Sequence, residues 1–267
     1  MIGFQKFLQH WYLAYGRHEL PWRQTSDPYK ILVSELMLQQ TQVERVIPKY
    51  LAFIERFPST ELLAQASLKE VLVLWQGLGY NRRAKYLFEC AKTIEEKYGG
   101  TFPQDETTLK ELPGIGPYTA SAICAFAYNQ PVVLIETNVR TVFLYHFFPN
   151  ETAVSDKLIL EMVTTTLDTN NPREWYWVLM DYGSYLKKIL PNPSRRSKNY
   201  SKQSKFTGSL RQVRGEIIRL LTKYDTMSTD ELFKKIQSNK LHFSDALEQL
   251  HQEKLVVRDS GKISLAE

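Results

Sequence analysis

Apolar and aromatic side chains recur at three- and four-residue intervals along most of this chain, a spacing that predicts a mainly helical protein. Helix spacing covers residues 2–15 and breaks at Leu20-Pro21-Trp22-Arg23. Asp27-Pro28 then opens a helix through about Gln40, with the aspartate as cap and proline at the first position. Further helices are predicted at 43–56, 60–66, 68–75 and 82–98, the last stopped by Gly99-Gly100. A short helix follows Phe102-Pro103, and longer ones cover 117–128, 139–147, 155–167 and 172–190. Beyond residue 206 the pattern changes to three helices at 209–223, 228–238 and 243–254. The run from Leu255 to Leu265 then alternates around Asp259-Ser260-Gly261, as a β-hairpin would. Three helices and a hairpin are in the order of a winged helix. The expected division is a core over 1–190, a loop over 191–206 and a winged-helix-like domain over 207–267.

A length of 267 residues with 43% hydrophobic content supports one large or two modest domains. No apolar run approaches the ~18 residues that span a bilayer, and the N-terminus has no signal-peptide pattern. Cys90 and Cys124 are the only cysteines, too few for a disulfide framework or a cysteine-rich metal site. A reduced, cytoplasmic protein is expected. The net charge of +5 is local rather than global. Lys187, Lys188, Arg195, Arg196, Lys198, Lys202 and Lys205 fall in one stretch without an acidic residue, and without those seven the rest of the chain carries −2. Alone, such a stretch is equally a solvated linker or a segment that follows a phosphate backbone.

Three features carry candidate chemistry. Leu112-Pro113-Gly114-Ile115-Gly116-Pro117-Tyr118-Thr119-Ala120 reads as a tight turn entering a helix, with both glycines placed where a Cβ would not fit. Its backbone N–H groups at a helix N-terminus suit a phosphate. Glu35 lies inside the apolar stretch Ile31–Leu38, where it is either a partly exposed or paired glutamate or a buried one whose desolvation favours the protonated acid. Glu136 closes the run Pro131-Val132-Val133-Leu134-Ile135 ahead of Thr137-Asn138-Val139-Arg140, where it is equally a helix cap or a reactive carboxylate. Two converging carboxylates suit N-glycosidic cleavage, one protonating the departing base and the other offsetting oxocarbenium charge.

Ser34–Gln42 with Val43, Gly77-Leu78-Gly79-Tyr80, Leu112–Ala120 and Glu136–Val139 resemble the helix-hairpin-helix-Gly-Pro-Asp (HhH-GPD) DNA glycosylase superfamily. Within it they are most similar to the MutY adenine glycosylases, as are Leu20–Arg23 and Asp27-Pro28-Tyr29-Lys30. The resemblance covers roughly residues 5–190. It implies a two-lobed helical fold and a DNA glycosylase that extrudes a base from double-stranded DNA carrying a mismatch or lesion. Glu35 falls on the family's general acid. Tyr118 stands where bifunctional relatives carry a Schiff-base lysine, so a monofunctional enzyme without lysine-dependent lyase activity is implied. Gln40 and Tyr80 match residues that wedge into the stack around the lesion. Leu112, Gly114, Ile115, Gly116 and Thr119 match the phosphate-binding hairpin, and the carbonyls of Leu112 and Ile115 match a sodium or potassium site. Asn138 matches a residue positioning the reacting nucleotide, and Arg23 and Asp181 lie on positions near the adenine pocket. Arg195 and Arg196 are expected to contact DNA. A monomer is expected.

Three departures from that pattern alter the expectation. The family's second carboxylate is an aspartate, and Glu136 is longer by one C–C bond of about 1.5 Å. Where MutY relatives place four cluster-binding cysteines, this chain has Lys187 through Ser197 with no thiolate, so no iron–sulfur cluster is expected, and apart from the sodium or potassium at the hairpin no cofactor is expected. Residues 207–267 are too short for the MutY domain that reads 8-oxoguanine, and Arg211, Arg214 and Arg219 on the first tail helix suit a second DNA- or partner-binding element. The leading expectation is removal of mismatched adenine opposite 8-oxoguanine or guanine. The alternatives are a thymine, uracil or other damaged-base mismatch glycosylase on the same scaffold, and a non-catalytic damage-binding protein.

Overall fold

The structure is a computed structural model; it describes residues 2–202 and 204–266. Met1 and Glu267, the ends of the expected core and tail, and Gln203 in the basic loop lie outside the described residues. The helices are α1 (Ile2–Tyr15), α2 (Pro28–Leu38), α3 (Val43–Arg56), α4 (Thr60–Ala64), α5 (Leu68–Trp75), α6 (Arg82–Tyr98) and α7 (Glu106–Leu109). They continue as α8 (Pro117–Phe126), α9 (Thr137–His146), α10 (Asp156–Thr166), α11 (Pro172–Ile189) and α12 (Leu210–Tyr224). Strand β1 (Thr226–Ser228), α13 (Thr229–Lys235), α14 (Phe243–Gln252), β2 (Val256–Asp259) and β3 (Lys262–Leu265) complete the chain.

The local signals explain most boundaries. Asp27 Oδ1 accepts from the Tyr29 N–H at 2.9 Å and so caps α2. Ser67 with Glu70, and Ser228 with Glu231, form reciprocal capping boxes on α5 and α13, each side-chain cap worth about 1 kcal/mol. Gly99 ends α6 in the left-handed region at φ 57°. Helix α2 stops at Leu38 rather than near Gln40, because Gln40 turns the chain at φ 55°.

Contacts divide the chain into two compact units. The first holds the residues up to Ile31, Pro103–Glu111 and Ile115–Lys202. Its centre is α11 packed on α9 and α1, with Trp175 and Tyr176 fully buried. Phe4 of α1 meets the Trp175 ring edge-on. Tyr176 is also a polar anchor: its hydroxyl donates to the Val132 carbonyl at 2.9 Å and accepts from the Leu134 N–H at 3.1 Å. That pair of bonds pins the irregular segment delivering Glu136 to the start of α9.

The second unit holds Leu32–Phe102, Leu112–Gly114 and the tail. Phe53, Phe57 and Trp75 form its fully buried aromatic centre, with α4 and α5 packed on α6. In the tail, α12 packs on α14, burying Val213, Ile217 and Leu221. The hairpin pairs Val256 with Leu265 and Asp259 with Lys262, and its turn takes the positive φ of Ser260 and Gly261. Strand β1 adds to β3, making an antiparallel sheet of order β1-β3-β2. The three helices and the hairpin lie where the hydrophobic pattern predicts them; β1 was not anticipated, being too short to show a period.

Candidate active site

In the first unit, Glu136 is the N-cap of α9. Its Oε1 accepts from the backbone N–H groups of Asn138 at 2.6 Å and Val139 at 2.8 Å. The Asn138 side chain donates to the other carboxylate oxygen at 3.2 Å. Capping and reactivity, left open by the sequence, are therefore compatible in geometry: the helix holds the carboxylate at a fixed place and orientation. The Asn138 Oδ1 atom is buried and has no hydrogen-bond partner among the described residues. A buried acceptor left unused beside an oriented carboxylate is a marked exception to the usual pairing of buried polar groups. Lys187 lies within electrostatic reach: burial lowers its amine's pKa, against the opposing pull of Glu136.

Arg23 and Asp181 are brought together as a buried ion pair. Arg23 donates to both carboxylate oxygens at 2.8 Å, and Arg17 adds its backbone N–H and Nε at 2.7 Å each. Burial alone would raise the Asp181 pKa, but the Arg23 hydrogen bonds and the charges of Arg23 and Arg17 bring it below the usual carboxylate value. Both acid oxygens are occupied by arginine donors, so the pair reads as a brace between α11 and the segment before α2.

Tyr118 is half-buried and Thr119 buried in the first turn of α8. Gly116 is the N-cap of α8 with φ −87° and ψ 177°, and a Cβ there would meet nothing within 4 Å. The expected steric need for glycine at 116 is thus not present, because extended backbone admits any residue. Ile115 is buried.

The basic segment separates its two arginines. Pro193–Arg196 form a 3₁₀ turn with Pro193 and Ser194 buried, a more ordered arrangement than the irregular segment expected. Arg195 is exposed. Arg196 donates to the carbonyls of Leu144 at 2.8 Å, Phe148 at 2.9 Å and Pro149, spending its guanidinium on the end of α9 and the loop after it. Ser194 and Thr141 hydroxyls bond at 2.6 Å. The donor set from Lys187 to Ser197 is hydroxyl, amide, ammonium and guanidinium, which does not fit an iron–sulfur cluster.

In the second unit, Glu35 is 7% exposed on α2 between fully buried Ser34 and Leu36. Leu112 is buried. Gly114 has φ 76°, and a Cβ there would lie 2.5 Å from Tyr86 Cβ, so this position of the hairpin does demand glycine. Gln40 and Tyr80 meet directly: the Tyr80 hydroxyl donates to Gln40 Oε1 at 2.6 Å. Both have left-handed backbone, φ 55° and 48°. For a residue as large as tyrosine that conformation is costly unless its surroundings impose it.

Arg83 imposes it, and nothing in the sequence pointed to this residue. Its Nη1 donates to the carbonyls of Leu36 at 2.5 Å, Met37 at 3.1 Å and Gln39 at 2.7 Å, the open C-terminal end of α2. Its Nη2 donates to Leu78 at 3.2 Å and Gly79 at 3.0 Å. One buried cation thus ties the helix that carries Glu35 to the Gly77–Tyr80 loop, with the helix dipole favouring its charge. Gly183 likewise carries no signal in the sequence, though its close approach to Asn138 sets the start of α9.

Among the described residues no helix is long and apolar enough to cross a membrane. Residues 33–163 match the HhH-GPD superfamily base excision DNA repair protein family. An adenine DNA glycosylase of Mycolicibacterium smegmatis is 38% identical over 240 residues, covering 83% of this chain and 81% of that protein. Another from Buchnera aphidicola is 36% identical over 189 residues, and the chain spans about half of it, 53%. The structure of a thermostable thymine-DNA glycosylase superposes with a TM-score of 0.60 at 26% identity, covering 73% of this chain and 88% of that one. Pattern, sequence and fold agree, and the chain belongs to the HhH-GPD superfamily of base excision DNA repair proteins, on its adenine DNA glycosylase branch.

Proposed function

We propose that this protein is a monofunctional DNA glycosylase that extrudes mismatched adenine, opposite 8-oxoguanine or guanine, and hydrolyses its bond to deoxyribose. The observation that carries the reading is the fixed Glu136 carboxylate with the unused Asn138 Oδ1 beside it. Glu35 protonates adenine at N7, which drains electrons from the C1′–N9 bond. That bond breaks, adenine leaves, and Glu136 offsets the positive charge on the sugar. Water, deprotonated by the Glu35 carboxylate, adds to C1′ to give an abasic site. Asn138 Oδ1 accepts a hydrogen bond from the reacting nucleotide or its water. Tyr118 has no amine to form an imine, so the strand stays intact. The enzyme works as a cytoplasmic monomer without an iron–sulfur cluster.

A second reading has support from the thymine-DNA glycosylase superposition and from the glutamate at position 136: thymine or uracil opposite guanine as the released base. Labelled duplexes carrying A:8-oxoguanine, A:G, T:G and U:G, scored before and after alkali, separate the two. Adenine release with alkali-dependent strand cleavage is the expected result; release of thymine or uracil alone transfers the proposal to the second reading. Binding without release of any base would remove the enzyme assignment. Glu35→Gln should abolish release at nearly unchanged duplex affinity, and borohydride should trap no covalent adduct.

A further inference from the structure

Tyr80 is also held by the tail. The guanidinium of Arg211, in the first turn of α12, lies 4.9 Å from the Tyr80 ring centroid, and its Nη1 donates to the Tyr80 hydroxyl. Arginine has only donors, so the phenol oxygen must accept there and send its own proton on to Gln40 Oε1. The order Arg211 to Tyr80 to Gln40 therefore has one direction, and it also sets which way the Gln40 amide faces. Arg211 itself sits against the Phe206 ring at 5.5 Å and donates to the Ser204 carbonyl at 3.3 Å.

Helix α12 is seated firmly enough to transmit this. Gln76 after α5 donates to Thr222 at 2.6 Å, and Lys85 of α6 donates to the Glu253 carbonyl at 2.7 Å. Arg214 donates to Glu253 Oε1 at 3.1 Å, closing α12 onto the end of α14. Beside Tyr80 opens a cavity of about 660 Å³, lined by Gln40, Tyr80, Phe206 and Arg211 among others. That space leaves the ring room to turn away.

We propose that Arg211 is a positioning residue for base extrusion: the C-terminal tail clamps Tyr80 and Gln40 in the pose with which they enter the stack. The inference rests on the reading of Tyr80 as a wedge. It gives the tail a role in the reaction that does not require the tail to touch DNA bases.

The test is stopped-flow fluorescence of 2-aminopurine placed next to the target adenine, with single-turnover base release on the same duplex. Tyr80→Ala, Arg211→Ala, Arg211→Lys and the Tyr80→Ala/Arg211→Ala pair are compared, each with its melting temperature. A cation–aromatic contact with a charged hydrogen bond supports a loss of extrusion rate of roughly tenfold in Arg211→Ala at unchanged melting temperature. Arg211→Lys should retain duplex affinity yet extrude slowly, since an ammonium cannot stack and donate together. The double variant should be no slower than Tyr80→Ala, because the clamp acts only through that ring. Independent, multiplying losses would overturn the clamp, as would normal extrusion by Arg211→Ala where Tyr80→Ala is slow. Normal extrusion by Tyr80→Ala would remove the wedge reading, and the clamp with it.

Discussion

Gly183 of α11 lies directly on the backbone of Asn138: a Cβ at 183 would fall 2.2 Å from the Asn138 carbonyl oxygen and 2.8 Å from its Cβ. The obstructing atoms are backbone at the first turn of α9, where Glu136 is held, and they have no rotamer to give. Gly183→Ala should therefore push the α9 start away. Overpacking of this kind costs about 1–3 kcal/mol of stability. A displacement near 1 Å at a reacting group costs on the order of 100-fold in rate. Single-turnover base release should fall by that order while duplex affinity changes little; full activity would mean that α9 does not place the reacting carboxylate.

Glu136→Asp keeps a competent helix cap, so stability in a urea melt should stay within about 1 kcal/mol of the parent. Base release should nevertheless drop by about 10- to 100-fold, because the shortened arm withdraws the charge from where this chain's backbone places it. Single-turnover rates on the A:8-oxoguanine duplex decide the matter. Faster adenine release would mean that the longer arm serves a different base.

Arg195 and Arg196 should separate cleanly. Arg196→Ala strips donors from the Leu144 carbonyl in α9 and from those of Phe148 and Pro149 in the loop after it, and leaving them unsatisfied costs about 1–3 kcal/mol in a urea melt. Arg195→Ala, at an exposed position, should leave stability unchanged and reduce the slope of log affinity against log salt by about one. An unchanged slope would make the segment a linker rather than a phosphate contact.

Asp181 has its folded pKa below the unfolded value. Its stabilising contribution is therefore complete above the unfolded pKa near 3.9 and fades as pH falls through the lower folded value. Urea melts between pH 2 and 7 should show stability declining below about pH 4. Asp181→Asn should cost about 3–5 kcal/mol at neutral pH, since Arg23 stays buried without its counter-charge, and should flatten that part of the acid decline. A parallel decline in the variant would assign the acid sensitivity to other carboxylates.

What the sequence determined on its own is the set of elements and the residues with a local rule behind them. Periodicity placed the helices, Asp27 and Gly99 marked two of their ends, Asp259-Ser260-Gly261 turned the hairpin, and Gly114 supplied the positive φ of its turn. Each depends on neighbours within a few positions, so each leaves a pattern in the chain. Tertiary structure decided the rest. Arg83 and Arg196 are committed to backbone carbonyls up to 47 and 52 positions away, and every residue carries a carbonyl, so no side-chain pattern announces the partner. The sequence marks Gly116 as sterically required and gives no sign for Gly183, yet the first faces open space and the second the backbone of Asn138. Only the packing of one helix on another distinguishes them, because a Cβ is excluded by what lies across from it and not by what precedes it.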